Sequence, residues 1–587
     1  MIPVIAVDIE TLSLAAAAPG PSDPRWVDRS FGDALAWGGA THGDREAVVY
    51  GDVRLSFNQV VARVRAFARG LIDLGVLPGE KVALWMGDRP EWLVARWAVP
   101  MIGAILVPVN TRFRDKDVQY VLAQSECTTL IVQSGSRSTS YFDILGKLVP
   151  DYRAQAVGGW SAVALPALRR VIGLTDAAGA PPSMLRFQEI EARGAALLAA
   201  VAGDAAHPGS DAALHARTSA VHGDDVAQIL YTSGTSSFPK GAMVCLGPLL
   251  QNNYFATTCL QLTSADRYLS CVPLFTATGT FYTLAMWLSG ATMVIVDLFE
   301  PRLFCETVER ERITVSFFVD TIVQDLRAFA DRASYDMSSL RTGTGAPLPT
   351  ESFLWVTHSI GVPQLVSAYG MSETSNAVVR TVVTDTLDKR SRTNGRPVDG
   401  VQIRIADVET NETLPSGTIG EICIRGYVLM KGYYKQPEED RKALDAGGWL
   451  HSGDLGELDA DGYLIYRGRV KEMIKPGGFN VATQEIEVFL KTYPGVREAV
   501  VVGVPDQRLG EVGYAYIELH AGATMDAQAL QAHCKESIAS YKVPRYVEFV
   551  EDWPLTGSHK IRKLELKARA AKALEAGRAT GHEGATA

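Results

Sequence analysis

Residues 225–241, DVAQILYTSGTSSFPKG, constrain the fold of this chain more than any other stretch. A short apolar run, Val226 with Ile229 and Leu230, has strand character and breaks into hydroxyl and glycine residues from Thr232 to Ser237, followed by Pro239, Lys240 and Gly241. Hydroxyls and unencumbered backbone N–H groups can surround a polyphosphate while one lysine offsets its charge. The spacing G-x-x-x-x-G-K-[ST] is absent, and the residues after Lys240 read as a second strand rather than a helix. Taken alone, the segment is equally a Ser/Thr-rich turn between two strands.

The chain has 587 residues, too many for one core, and at ~150 residues per domain it predicts about three or four compact units. Apolar residues make up 47% and charged residues 21%, the balance of a soluble globular enzyme. A formal charge of −9 argues against a general nucleic-acid binder, so an anionic ligand must be held by local charge. The seven cysteines never come closer than twelve residues apart, which excludes a CxxC redox or metal pair and predicts free thiols in a reducing cytoplasm. The N-terminus lacks a basic start and carries Asp8 and Glu10, unlike a signal peptide. The longest apolar run, residues 281–296, has Ser289 and Gly290 in its middle, predicting a helix that turns into a strand and no membrane span.

Along the first part of the chain, Ser56 and Gln59 have capping-box spacing, and Val60, Val64, Phe67, Leu71 and Ile72 form one helical face that stops at Gly75. Strand-like VALWM at 82–86, a helix from Pro90 and ILVPV at 105–109 continue the rhythm of a doubly wound sheet. Residues 151–223 are Ala- and Gly-rich, and 208–223 are expected to be an exposed connection whose His215 and His222, with nearby His207, lack metal-ligand spacing. The stretch 401–425 marks a change to mostly β. Strand-like runs at 496–504 and 514–519, a helix near 525–540 and a strand at 546–550 predict a compact last domain, with a frayed helix or tail from Ala570.

The loop resembles the signature YTSGTTGxPKG of the AMP-forming adenylate synthetases, the superfamily of acyl-CoA synthetases, peptide-synthetase adenylation domains and firefly luciferase. Tyr231, Thr232, Ser233, Gly234, Thr235, Pro239, Lys240 and Gly241 fit, Ser236 replaces a threonine, and Ser237 stands where the family has glycine. Further segments follow in family order over roughly residues 30–565. SAYGMSET at 367–374 resembles the YGxTE segment, which implies that Tyr369 stacks on adenine, that Gly370, Met371 and Ser372 line the nucleotide, and that Glu373 holds Mg²⁺. Gly345, Ala346 and Pro347 fit the family's second adenine wall, and GGWLHSGDLG at 447–456 resembles GWxxTGD, in which Asp454 accepts the ribose hydroxyls with Arg469 nearby. Lys471 falls at the family's hinge, Gly477, Gly478 and Phe479 match the pantetheine tunnel, and Lys560 in PLTGSHKIRK fits the catalytic lysine.

The resemblance implies a mixed α/β fold: a large N-terminal domain of doubly wound α/β subdomains with a β-rich subdomain, and a small mobile α+β C-terminal domain. The expected boundaries are an N-terminal segment 1–29, a large domain 30–470, a small domain 471–569 after Lys471 and a tail 570–587. It implies an acyl-CoA ligase in which a carboxylic acid and ATP form an acyl-adenylate and pyrophosphate, and CoA then displaces AMP; Lys240 meets the β/γ-phosphates and Lys560 the reacting carboxylate. The acid pocket would draw on Tyr254, Phe255, Thr276, Phe281, Phe318, Val319, Asp320, Thr344 and Ala368, and their apolar character favours a hydrophobic monocarboxylic acid. Asp320, where many relatives have proline, is expected to cap the helix after it, the alternative being that it meets a polar group of the substrate. Ser237, and Thr276 in place of a histidine or aromatic residue, leave open a ligase that takes preformed acyl-AMP from an upstream adenylating partner and performs only thioester formation. Loading of a separate carrier protein is a further reading, and a homodimer is compatible with the sequence.

Overall fold

The computed structural model describes residues 26–136, 139–174, 181–200, 207, 209–232, 239–346, 348–474, 476, 481–506, 508–555, 561–575 and 577. Contacts divide the chain into two compact units, Met1–Gln402 with Arg425–Gly448, and Ile403–Ile424 with Trp449–Ala587. The expected boundary at Lys471 is a different division, since residues 403–424 and 449–470 group here with the C-terminal part.

Among the described residues the first unit is built on two large sheets, with a small two-stranded pair of Gly135–Ser136 and Thr139–Ser140 beside them in the chain. One has seven strands, in the order Lys240–Cys245, Val226–Thr232, Ile105–Pro108, Lys81–Trp85, Cys127–Gln133, Arg170–Leu174 and Leu185–Arg186. All its pairs are parallel except Val226–Thr232 with Lys240–Cys245. The other has nine strands and runs parallel from Gln364–Met371 to Glu46–Tyr50 through Thr342–Gly345, Val315–Phe318, Arg267–Ser270 and Thr292–Ile295, with antiparallel strands at both edges. Parallel strands need helical crossovers that cover both faces, so their sequences read as continuous apolar runs. Val82, Ala83, Leu84 and Trp85 are accordingly all fully buried.

The helix Phe57–Asp73 shows how local sequence sets this layer. Ser56 Oγ accepts the Gln59 N–H at 3.2 Å while Gln59 Oε1 accepts the Ser56 N–H at 2.8 Å, satisfying two donors left over at the helix start. Val60, Val64, Phe67 and Leu71 then bury one face. The long apolar run resolves into the helix Ala277–Ser289, a left-handed Gly290 at φ +74° and the strand Thr292–Ile295. Gly290 ends the helix because an L side chain is strained in that conformation. No helix among the described residues is long and apolar enough to cross a membrane.

Residues 209–223 depart from expectation. Instead of an exposed connection, Asp211–Ser219 is a helix capped by Ser210, with Leu214 buried and Arg217 donating to the backbone oxygens of Val76 and Ile102. Alanine is the strongest helix former, and its abundance here signals helix rather than looseness.

In the second unit, Val401–Ala406, Gly420–Gly426, Leu450–Leu458 and Leu464–Arg469 form a four-stranded sheet in that order. A hairpin of Val496–Asp506 and Gly510–Leu519, flanked by parallel Tyr546–Phe549, forms a second sheet. Val501 and Ile517 pack on one side of it with Ile486 and Leu490, while Val500, Val502 and Tyr516 pack on the other with Leu566 and Ala570. The helix Lys563–Glu575 runs through position 570, from which a frayed helix or a tail was expected.

Candidate active site

In the first unit the phosphate-loop strands meet antiparallel, with Thr232 opposite Lys240 and Tyr231 opposite Gly241. These are the two strands read from the sequence on either side of the motif. Ser233, Gly234, Thr235, Ser236 and Ser237 lie outside the described residues, as do Pro347, Gly477, Gly478, Phe479 and Lys560.

Thr232 at the base of the loop is hydrogen-bonded to Glu373, and Lys240 is linked to the same group through Tyr433. The Glu373 carboxylate is 7% exposed, and its Oε1 accepts from Thr232 Oγ1 at 3.3 Å and from the Tyr433 hydroxyl at 3.0 Å. Burial, and next the neighbouring Glu373 charge, push the Tyr433 hydroxyl far above its ordinary range, keeping it a donor. Lys240 Nζ ion-pairs with Glu439 and stands 4.9 Å from the centre of the Tyr433 ring. That pairing, followed by Lys442, lowers the Glu439 carboxyl to about 2. Tyr433 and Glu439 were not selected from the sequence; the turn-forming GYYKQPEE at 432–439 is their only local signal.

Glu373 is presented by the short helix Ser372–Thr374 at the end of the strand Gln364–Met371. The next two residues, Ser375 at φ +55° and Asn376 at φ +112°, have left-handed backbone without being glycine, a strain that the surroundings must hold in place. They do so through buried hydrogen bonds: Asn252 Nδ2 to the Ser375 oxygen at 3.1 Å, Asn376 Nδ2 to Asn253 Oδ1 at 2.8 Å, and Ser375 Oγ to the Val428 oxygen at 2.8 Å. Gly370 is required for a separate reason, since a Cβ there would lie 2.3 Å from the Asn376 oxygen on the adjacent strand. Tyr369 beside it is 9% exposed, and Gly345 and Ala346 close the neighbouring strand Thr342–Gly345.

The expected acid-pocket residues come from six elements of this unit. Tyr254 and Phe255 lie on the helix Leu246–Cys259, Thr276 and Phe281 at and within Ala277–Ser289, and Phe318 ends Val315–Phe318, with Val319 next. Thr344 and Ala368 lie on adjacent parallel strands. Thr276 caps its helix: its hydroxyl accepts the Gly279 N–H at 3.0 Å and donates to the Pro273 oxygen at 2.7 Å. Asp320 does not cap. Val319 occupies the cap position, and Asp320, as the first helical residue, accepts from Ser352 Oγ at 2.6 Å and Gln324 Nε2 at 3.3 Å. Its charge still favours the helix start through the dipole.

In the second unit, Asp454 is 5% exposed and pairs with Arg469 across the strands, Nε to Oδ1 at 3.2 Å. The turn before Asp454 is held by Glu421, whose Oε1 accepts the Gly453 N–H at 2.9 Å and whose Oε2 lies 2.7 Å from His451 Nδ1. Cys423 Sγ is 3.6 Å from the same nitrogen. Hydrogen bonding of the His451 ring to Cys423, and next to the accepting Glu421 carboxylate, raises the imidazole to about 10. These three residues hold their donor atoms within 4.8 Å of one another, a grouping the sequence reading missed because it spans two strands. Lys471 lies in the turn Val470–Glu472.

The pattern of the family described as AMP-binding enzyme matches residues 35–434, and that of its C-terminal domain matches residues 485–560. The chain is 36% identical, over 92% of its length and 97% of the other's, to a Bacillus subtilis (strain 168) protein provisionally named acyl-CoA synthetase YngI. It is 35% identical, over 89% of its length and 96% of the other's, to the 3-[(3aS,4S,7aS)-7a-methyl-1,5-dioxo-octahydro-1H-inden-4-yl]propanoyl:CoA ligase of Rhodococcus jostii (strain RHA1). The crystal structure of the anthranilate CoA ligase AuaEII in complex with anthranoyl-AMP superposes with a TM-score of 0.77 at 26% identity, covering 94% of this chain and 98% of that one.

Proposed function

We propose, from the premise that this chain belongs to the AMP-binding enzyme family and is an acid–thiol ligase of the AMP-forming acyl-CoA synthetase type, that it joins a hydrophobic carboxylic acid to CoA through an acyl-adenylate. The observation that carries the reading is the group at the base of the phosphate loop in which Thr232 is hydrogen-bonded to Glu373 and Lys240 is ion-paired with Glu439, with Tyr433 standing between the two. In the adenylation half-reaction the acid's carboxylate oxygen attacks the α-phosphorus of ATP, and the bond to the bridging oxygen of pyrophosphate breaks. Lys240 exchanges Glu439 for the β/γ-phosphates, and Lys560 meets the reacting carboxylate, so each lysine offsets a repulsion between anions. The Glu373 carboxylate with the Thr232 hydroxyl beside it is a hard-oxygen donor set suited to Mg²⁺, which spreads phosphate charge when bound.

Tyr369, with Gly345 to Pro347, takes the adenine, and Asp454 with Arg469 takes the ribose. In the second half-reaction the CoA thiol attacks the acyl carbon and AMP leaves. The reading assigns Gly477, Gly478 and Phe479 to pantetheine passage, and Lys471 to the hinge about which Lys560 is exchanged for that passage. Fully buried Phe281 and Phe318 favour an apolar acid. The relative from R. jostii is named for a bicyclic propanoic acid with two oxo groups, a mainly hydrocarbon acid.

The test is a panel of acids with ATP, Mg²⁺ and CoA, read by pyrophosphate release and by thioester formation. Thioester from at least one hydrophobic acid is expected; pyrophosphate without thioester under any condition overturns the ligase reading. The residue at position 237 favours one second reading, thioester formation from preformed acyl-AMP. Serine there replaces a backbone-only position in the loop pattern and costs roughly 1–2 kcal/mol if the backbone is left-handed. On that reading wild type forms thioester only from supplied acyl-AMP, and Ser237→Gly raises pyrophosphate release; equal release by wild type and variant removes it.

A further inference from the structure

The strand Asn376–Arg380 lies antiparallel to Gln364–Met371, placing Arg380 directly opposite Ala368. It packs against both the helix Leu246–Cys259 and the helix Ala277–Ser289, the elements that carry Tyr254, Phe255 and Phe281. Arg380 is 4% exposed, and its Nε and Nη2 have no hydrogen-bond partner among the described residues. A buried guanidinium is costly unless paired, so its unused donors call for an acceptor.

The groups around Arg380 are the Tyr282 and Tyr427 hydroxyls and the Cys259 thiol, with the Asp399 carboxylate near the last two. Tyr282 donates its hydroxyl to Thr344 Oγ1, and the Tyr427 hydroxyl is buried without a partner among the described residues. Burial pushes both phenols up, and the Arg380 charge pulls each partly back, which marks the closeness of the guanidinium to them. Arg96 is a fully buried arginine without hydrogen-bond partners among the described residues, but it lies over the Phe31 ring at 4.5 Å, a contact that stabilises a cation without an acceptor. Arg380 instead stands opposite Ala368 and next to the hydroxyl bonded to Thr344, two of the positions assigned to the acid.

We propose that Arg380, with the Tyr282–Thr344 hydroxyl pair, forms a subsite for an oxygen acceptor on the distal part of the acid, so that the substrate is an apolar acid bearing a second carboxylate or an oxo group. The proposal rests on the acyl-CoA ligase reading and names the substrate class of that same pocket. A guanidinium fits a carboxylate through two parallel N–H donors and an oxo group through one. The subsite rejects an acid that lacks the acceptor, because binding it seals the charge away from water and leaves it unpaired.

The test uses the full chain with equal-length acids ending in methyl, oxo, carboxylate or ammonium groups. Adenylation, thioester formation and acid-induced thermal shift are each measured for wild type, Arg380→Met and Arg380→Lys. Wild type should favour an oxo or carboxylate acid over the methyl acid about 100-fold in kcat/KM and should reject the ammonium acid. Arg380→Met should reverse the preference while leaving the KM for ATP and for CoA within about twofold, and Arg380→Lys should keep part of it. Because the methionine removes an unpaired buried charge, its Tm should equal or exceed that of wild type. A wild type that prefers the methyl acid, or a preference unchanged in Arg380→Met, overturns the subsite; so does an Arg380→Met chain that loses Tm and keeps its selectivity. Selective adenylation or thermal shift without any thioester would instead retain the subsite and overturn the ligase reading.

Discussion

Glu373 shows how much of the chemistry rests on single buried groups. Its carboxylate accepts from Thr232 and Tyr433, one from the phosphate-loop strand and one from the segment 425–448. Glu373→Gln keeps the shape and removes the charge, so pyrophosphate release should fall about 100-fold or more with little change in Tm. Equal loss of activity and of Tm would make the residue structural. Glu373 was legible in the sequence because a motif surrounds it. Tyr433 and Glu439 were not, since nothing local shows that residues about 60 positions and 200 positions away meet them.

At the scale of elements, caps and turns set where side chains can point. The Ser56–Gln59 box and the Gly290 helix end were readable because their signals lie within a few residues. The turn before Asp454 depends on Glu421 from the neighbouring strand, bonded to Gly453 and His451. His451 is raised from 6.5 to about 10 in the fold, so the stability it contributes is fully present below 6.5 and is lost as pH rises through about 10. Denaturation midpoints of His451→Gln should therefore fall below wild type near pH 6 and converge with it towards pH 10. Parallel curves would show that the imidazolium plays no part. The helix Asp211–Ser219 marks the opposite failure, in which an amphipathic but Ala-rich stretch reads as a linker until Leu214 and Arg217 are seen packed on other elements.

For the whole molecule, burial creates properties that no window of sequence contains. Asp88 is buried, accepting the Leu274 N–H at 2.9 Å, and desolvation raises its carboxyl to about 8. The folded state then holds a proton that the unfolded state has lost between about pH 4 and 8, so the stability linked to Asp88 falls as pH rises across that window. Asp88→Asn should flatten the pH dependence of Tm over that range and be the more stable form at pH 8. An unchanged slope would assign the dependence to other groups.

The sequence by itself determined the α/β architecture, the strands Val226–Thr232 and Lys240–Cys245 on either side of the motif and the family, because periodicity, caps and ordered motifs are encoded within short windows. Which groups then face one another was decided only by the tertiary structure. Lys240 meets Glu439, Asp320 stands inside its helix instead of capping it, and Arg380 lies buried opposite Ala368. The physical reason is that charge pairing and desolvation depend on distances of a few ångströms between strands and helices far apart in the chain, and those distances exist only once the sheets have formed.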